Sequence, residues 1–172
     1  ALTIQGGDAD TGAVTVADYE STGTLTLGNS LNAGAVAITT KGTGGRTIAL
    51  GTSANVTSRA VTATTLADGQ TLTLTGDKAV TLTSADADLA VGAYSGAVTA
   101  TVDNANAATL TIGTGATTLN TNGAGTLTVN GDAGGTAALT IQGGDADTGA
   151  VTVADYESTG TLTLGNSLNA GA

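Results

Sequence analysis

The stretch ALTIQGGDADTGAVTVADYESTGTLTLGNSLNAGA occupies residues 1–35 and returns without a change at residues 138–172. The second copy begins at Ala138, the equivalent of Ala1, so one period of the sequence covers residues 1–137. Verbatim self-similarity at a fixed period indicates a repeat architecture, in which neighbouring units stack on one another. We interpret residues 1–137 as one full repeat unit of a tandem array, and residues 138–172 as the start of the next identical unit.

The repeated stretch contains three copies of an apolar–Thr–apolar pattern, LTI at Leu2, VTV at Val14 and LTL at Leu25. Similar triplets continue along the chain at nearly even spacing, separated by corners rich in Gly, Asn, Asp and Ala. Alternation with a period of two is the strand period, and β-branched residues bounded by turn residues strengthen that assignment. The sequence therefore predicts an all-β chain, with the aliphatic face inside and the Thr face outside.

Two all-β architectures accommodate short strands at this spacing. A parallel β-solenoid needs only small aliphatic side chains stacked in register, whereas antiparallel β-sandwiches usually fill a wide core with aromatic residues. The chain has 3 Tyr and no Phe, Trp or Pro. We favour the β-solenoid, and tandem antiparallel β-sandwiches are the alternative.

The length of one turn of the solenoid follows from the spacing of the strands. Three strands with their corners take up about 34 residues, and a quarter of the unit, 137/4, is also about 34 residues. A fixed period of this kind marks one turn of a solenoid. We therefore predict three short strands per turn and four turns per unit. A flatter coil with two strands per turn and six turns per unit is the alternative. Residues 84–96 break the spacing and predict a longer corner or insertion, and Leu119 predicts a short strand of its own.

The composition excludes several classes of function. One unit carries ten Asp and Glu against four Lys and Arg, so an array of units is a polyanion and is not expected to bind nucleic acid or an anionic membrane surface. No apolar run approaches the roughly 18 residues of a membrane span. The chain has no His and no Cys, and no Ser or Thr with a recognisable activating partner. We predict that it is not an enzyme.

Calcium is the one cofactor that the sequence suggests. The corner GGDADTG, at residues 6–12 and again at 143–149, is similar to a glycine- and aspartate-rich calcium-binding repeat. It departs from that repeat in the position of its aspartate and in lacking a third glycine. The candidate ligands are Asp8, Asp10, Asp145 and Asp147. Tight acidic corners without a metal are the alternative for these residues. The carboxylate pairs Asp8/Asp10 and Asp86/Asp88 could in principle form an acid/base couple, but no aromatic platform for a sugar lies near them in the sequence, and we favour solvated corner carboxylates.

The long runs of x-[VL]-T-[VLI] with Ala-, Thr-, Gly- and Asn-rich corners, few basic residues and no Cys resemble the β-solenoid regions of bacterial surface-layer proteins and of large secreted repeat adhesins. The resemblance implies a secreted structural protein that self-associates at the cell surface, often with calcium. We therefore expect a segment of a long extracellular filament, matrix fibre or surface-layer-like assembly with a mechanical role.

The alternative function is an adhesin stalk or binding surface whose outward Thr, Asn and Asp ladders recognise a glycan, ice or a partner cell. An ice-binding surface needs two neighbouring ranks of outward Thr. The sequence predicts a single outward rank, interrupted by Ala37 and Ala49.

Overall fold

A computed structural model of the chain describes residues 1–6, 12–28, 31, 34–51, 59–66, 69–131, 136–143 and 148–165. Within these residues the regular structure is entirely β. The strands are β1 (Leu2–Ile4), β2 (Val14–Tyr19), β3 (Leu25–Leu27), β4 (Val36–Gly42), β5 (Arg46–Ala49), β6 (Arg59–Leu66), β7 (Thr71–Thr75), β8 (Val80–Ser84), β9 (Asp88–Ala90), β10 (Val98–Val102), β11 (Ala108–Thr111), β12 (Thr117–Thr121), β13 (Leu127–Asn130), β14 (Leu139–Gly143), β15 (Val151–Ala154) and β16 (Leu162–Leu164).

Successive strands alternate between two parallel sheets of eight strands each. One sheet, here called the odd sheet, has the order β1-β3-β5-β7-β9-β11-β13-β15, and the even sheet has the order β16-β14-β12-β10-β8-β6-β4-β2. Each strand therefore pairs with the strands one turn earlier and one turn later, and the terminal strands β1, β2, β15 and β16 pair on one side only. The prediction of a parallel β-solenoid is confirmed.

Each turn contains two strands, so the preferred prediction of three strands per turn is wrong and the two-strand alternative is correct. The sequence distance between paired residues varies from turn to turn: Thr71 faces Asp88 across a short turn, whereas Arg46 faces Leu72 across a longer one. Corner length accounts for this spread. A triangular turn would need a third sheet, and the two sheets already bury the inward aliphatic side chains of β7 to β13.

The core is a thin column of aliphatic side chains between the sheets. In β8, Val80 and Leu82 are buried while Thr81 between them is exposed, as the strand period requires. The same inward positions stack from turn to turn: Leu72 faces Leu89, and Leu89 faces Leu110. The column is continuous along the chain, because its buried side chains form a single cluster.

Residues 84–96 form neither a longer corner nor an insertion, so that prediction is wrong. They contain strand β9, and they belong to one of the shorter turns, in which Val98 faces Val80. Tyr94 is buried in this corner, where its hydroxyl donates to the carbonyl of Lys78. The predicted short strand at Leu119 is confirmed as β12.

Glycines let the corners of successive turns stack in close contact. A Cβ atom on Gly115 would overlap the carbonyl oxygen of Gly96, one turn below it. A Cβ atom on Gly96 would in turn overlap the backbone carbonyl of Lys78. These positions need glycine because backbone lies where a side chain would begin.

Candidate functional site

The outer face of the even sheet carries a two-rank array of polar side chains, which we call the polar grid. It comprises Thr81, Thr99, Thr118 and Thr140 in one rank and Thr83, Thr101, Asn120 and Gln142 in the other. All eight side chains are exposed or half-buried. The expectation of a single outward rank of Thr is therefore wrong for this face, where β8 and β10 each present Thr-x-Thr.

The spacing of the grid follows from sheet geometry. Neighbouring strands lie about 4.8 Å apart, and outward residues i and i+2 on one strand lie about 6.6 Å apart. The eight residues include no charged side chain, so the grid offers only hydroxyl and amide groups to a partner. The first rank ends in β6, where Ala60 pairs with Thr81 and also with Ala37.

The odd sheet presents a less regular face. Its ranks mix Thr with other residue types: Thr71 pairs with Asp88, and Thr73 pairs with Ala90. Ala49, expected to interrupt a rank, pairs with Thr26 on one side and with Thr75 on the other. The two outer faces of the solenoid therefore differ in chemistry within one unit.

The predicted calcium ligands Asp8, Asp10, Asp145 and Asp147 lie outside the described residues, so the calcium site stays a prediction. No group of three or more acidic side chains that could hold a metal occurs in the described ranges.

The carboxylates of Asp86 and Asp88 accept hydrogen bonds from the backbone of the next turn of the coil. The Oδ1 atom of Asp86 accepts hydrogen bonds from the backbone N–H groups of Ala105 and Asn106, at 2.9 and 3.0 Å. The Oδ1 atom of Asp88 accepts one from the N–H group of Thr109 at 2.7 Å. These carboxylates satisfy backbone donors at a corner, which is the structural alternative that the sequence left open for them.

Two arginines, Arg46 and Arg59, are buried in the described part of the solenoid. Arg46 is 3 % exposed, and its guanidinium donates to the carbonyls of Tyr19 at 3.3 Å, Lys41 at 2.6 Å and Gly45 at 3.1 Å, and also to that of Gly44. The donors point at corner carbonyls rather than at solvent. Arg46 therefore ties the ends of neighbouring turns together and is not placed to bind an external anion. Sequence patterns missed this role because the position is otherwise aliphatic.

No known protein family, curated protein or solved structure matches the chain. Among the residues that the structure describes, no helix has the length and hydropathy to cross a bilayer. The repeat, the parallel ladder and the polar grid are the features of the chain that bear on its function.

Proposed function

We propose that the chain is a structural protein, a segment of a repetitive filament whose role is mechanical. The observation that carries this proposal is the pairing across the boundary between the two units. Strand β14 opens the second unit and pairs with β12 of the first through five registered residue pairs. Strand β15 pairs with β13 through four. The parallel ladder thus runs from one unit into the next.

Side chains add to the contact across this boundary. Ala137 is the last residue of the first unit, and its carbonyl accepts hydrogen bonds from Ser158 Oγ at 2.7 Å and from the Tyr156 hydroxyl at 3.3 Å. Nearest-neighbour contacts of this kind are what stabilise solenoids, since one turn alone buries too little apolar surface to fold. Each added unit therefore stabilises the turns next to it.

We further propose that the filament is extracellular and self-associates at a cell surface. The support is the resemblance of the strand pattern to surface-layer and adhesin solenoids, together with an acidic composition that keeps long polymers soluble. Calcium binding at the GGDADTG corners belongs to the same proposal.

Electron microscopy of a chain with several consecutive units tests the filament. We expect unbranched fibres of uniform width whose length grows in proportion to the number of units, with a diffraction spacing of about 4.8 Å along the fibre axis. Beads of separate globules on a flexible string would contradict the proposal.

A second candidate function is recognition of an ordered water surface such as ice, and the polar grid is the observation that favours it. Two registered ranks of uncharged hydroxyl and amide groups on a β-sheet form a regular lattice of hydrogen-bonding sites. Thermal hysteresis measures this activity. Thr99→Lys places a long, positively charged side chain in the grid and should abolish any hysteresis. Thr152→Lys places the same side chain on the odd sheet and is the matched control, which should leave the hysteresis unchanged. Absence of hysteresis in the unaltered protein would remove this candidate.

A further inference from the structure

The two copies of the repeated sequence lie in opposite sheets. Leu2 opens β1 in the odd sheet, and its equivalent Leu139 opens β14 in the even sheet. In the same way, β2 and β15 exchange sheets, as do β3 and β16. The reason is arithmetic: 14 − 1 = 13 strands separate equivalent positions, and an odd number of strands cannot return to the same sheet of a two-sheet coil.

Two local features of the repeated sequence recur in both sheets. Asp18 and its equivalent Asp155 have left-handed φ values of 52° and 51°. The Tyr19 hydroxyl donates to the Gly23 carbonyl at 2.5 Å, and the equivalent Tyr156 hydroxyl donates to that of Gly160 at 3.2 Å.

The pairing registers also agree between the copies. The pairing of Leu2, Thr3 and Ile4 with β3 is repeated with the same offsets by β14 and β16. At these described positions the two copies therefore keep the same pairing offsets and turn geometry although they lie in opposite sheets.

We propose that successive units stack edge to edge with a half-turn about the solenoid axis, each unit being the binding partner of the next. The inference rests on the proposed filament. The interacting surface is the edge formed by β1 and β2, and the partner is a second copy of the unit, through its strands β12 and β13. The identical strands β14 and β15 already make this contact within the chain.

The register of the contact between units is therefore defined. Thr3 pairs with Thr118 of the preceding unit, as Thr140 does here. Thr15 pairs with Thr128 of the preceding unit, as Thr152 does here. A unit of 13 strands advances the coil by six and a half turns, or about 31 Å at 4.8 Å per turn.

The half-turn determines what a lateral partner encounters. The grid residues that the first unit contributes, in β8, β10 and β12, lie on the even sheet, and their equivalents in the next unit lie on the opposite side of the filament. Both sides of the filament then carry the same alternating pattern, with a period of two units, or about 62 Å. Any partner that binds the grid on one side of the filament therefore finds the same surface on the other side.

An extended chain tests the half-turn. Residues 36–137 are appended after Ala172, so that the chain contains two complete units. One spin label is placed at the second-unit equivalent of Thr99 and the other at Thr128 or at Thr118 of the first unit. Thr128 and Thr118 lie in β13 and β12, so the two distances probe opposite sheets at nearly the same axial separation.

The half-turn predicts that the Thr128 pair is the closer one. Thr128 pairs with Thr152, and the same rank continues through the second-unit equivalents of Ala37, Ala60 and Thr81 to the labelled position. The two labels are therefore five strand spacings apart, about 24 Å. The labels of the Thr118 pair are separated by five and a half strand spacings along the axis. They also lie on opposite sheets, which adds the distance of about 10 Å between the sheets and the outward reach of both labels. Dipolar spectroscopy reads both distances.

The reverse order, with the Thr118 pair closer, would overturn the half-turn, because it requires an even number of strands per unit. Micrographs of the same extended chain separate this inference from the proposed function. If the distances follow the predicted order but the chain forms no filament, the half-turn is supported and the proposed filament function is rejected. Filaments with the reverse order keep the proposed function and remove the half-turn.

Discussion

Leu82 and Thr81 are neighbours in β8 that face opposite sides of the even sheet, and they show how single residues determine this fold. Leu82 is 0 % exposed and contributes to the aliphatic column, whereas Thr81 is exposed in the polar grid. Two sheets that pack face to face lie about 10 Å apart, so the column holds one layer of side chains from each sheet. A void there has no second layer of core to close it.

The first prediction compares these two positions. Leu82→Ala removes buried methyl groups and should lower the free energy of unfolding by about 2–5 kcal/mol. Thr81→Ala is the matched control and should change it by less than about 0.5 kcal/mol, since the side chain is solvated. Urea unfolding followed by circular dichroism measures both values. Equal losses in the two variants would contradict the inside–outside assignment.

The second prediction concerns Tyr94. Burial raises the pKa of its hydroxyl from 10.0 to about 12, an effect that the Arg59 charge reduces and the Asp77 charge adds to. The neutral form is favoured in the folded chain, so this contribution to stability is complete below pH 10 and is lost as the pH rises through about 12. Tyrosinate absorbance should show a component that titrates late and that disappears in Tyr94→Phe. Titration of the unaltered protein in a single step near the ordinary pKa, about 10, would contradict this environment.

At the scale of the strand and its corner, close backbone stacking restricts the residues at the corners. A Cβ atom on Gly115 would overlap the Gly96 carbonyl oxygen, whereas the atom nearest to a Cβ on Gly92 is a side-chain methyl of Thr111 at 3.5 Å, an ordinary contact. The two glycines therefore differ in what surrounds them, although both lie in corners. Corners such as the one at Gly115 can approach this closely only because the residue there has no Cβ atom.

The third prediction uses this difference. Gly115→Ala forces two corners apart and should lower the free energy of unfolding by about 1–3 kcal/mol or more. Gly92→Ala meets no such overlap and should be close to neutral. Thermal unfolding of the two variants provides the comparison, and an unchanged melting temperature for Gly115→Ala would show that the corners do not stack as described.

Most strand positions could be predicted from the sequence, with β9 as an exception, and the number of strands per turn could not. Leu119 identified β12 correctly, because an aliphatic residue flanked by Thr and bounded by Gly has few alternatives. Whether a turn contains two strands or three depends on how sharply each corner bends. The sequence spacing of paired residues varies from Thr71 with Asp88 to Arg46 with Leu72, so no single period reveals the turn.

The polar grid was missed for a related reason. Triplets such as VTL at Val80 contain one central Thr, and the second outward Thr, Thr83, follows the triplet. Whether that residue belongs to the strand depends on pairing with the next turn, where Thr101 faces it. A pattern of local triplets contains no information about pairing between residues that are distant in sequence.

At the scale of the whole molecule, the two parallel sheets form a coil whose ladder crosses from one unit into the next without a change of register. An array built in this way gains stability with each neighbour, as one-dimensional repeat proteins do. We therefore expect the free energy of unfolding to rise with the number of units, and denaturant titration of chains with one, two and three units measures it. A free energy that does not depend on the number of units would contradict the stacking.

The central claim, two strands in each turn of a parallel coil, is tested most directly by pairwise cysteine cross-linking in a chain that has no native Cys. Thr118 and Thr140 are registered neighbours on β12 and β14, at a Cα spacing of about 4.8 Å that a disulfide can bridge. Thr152 follows Thr118 at the sequence distance that a three-strand turn would give to paired neighbours, but here the two lie in opposite sheets. We predict that mild oxidation cross-links Thr118→Cys with Thr140→Cys and leaves Thr118→Cys with Thr152→Cys reduced. The reverse result would contradict the account.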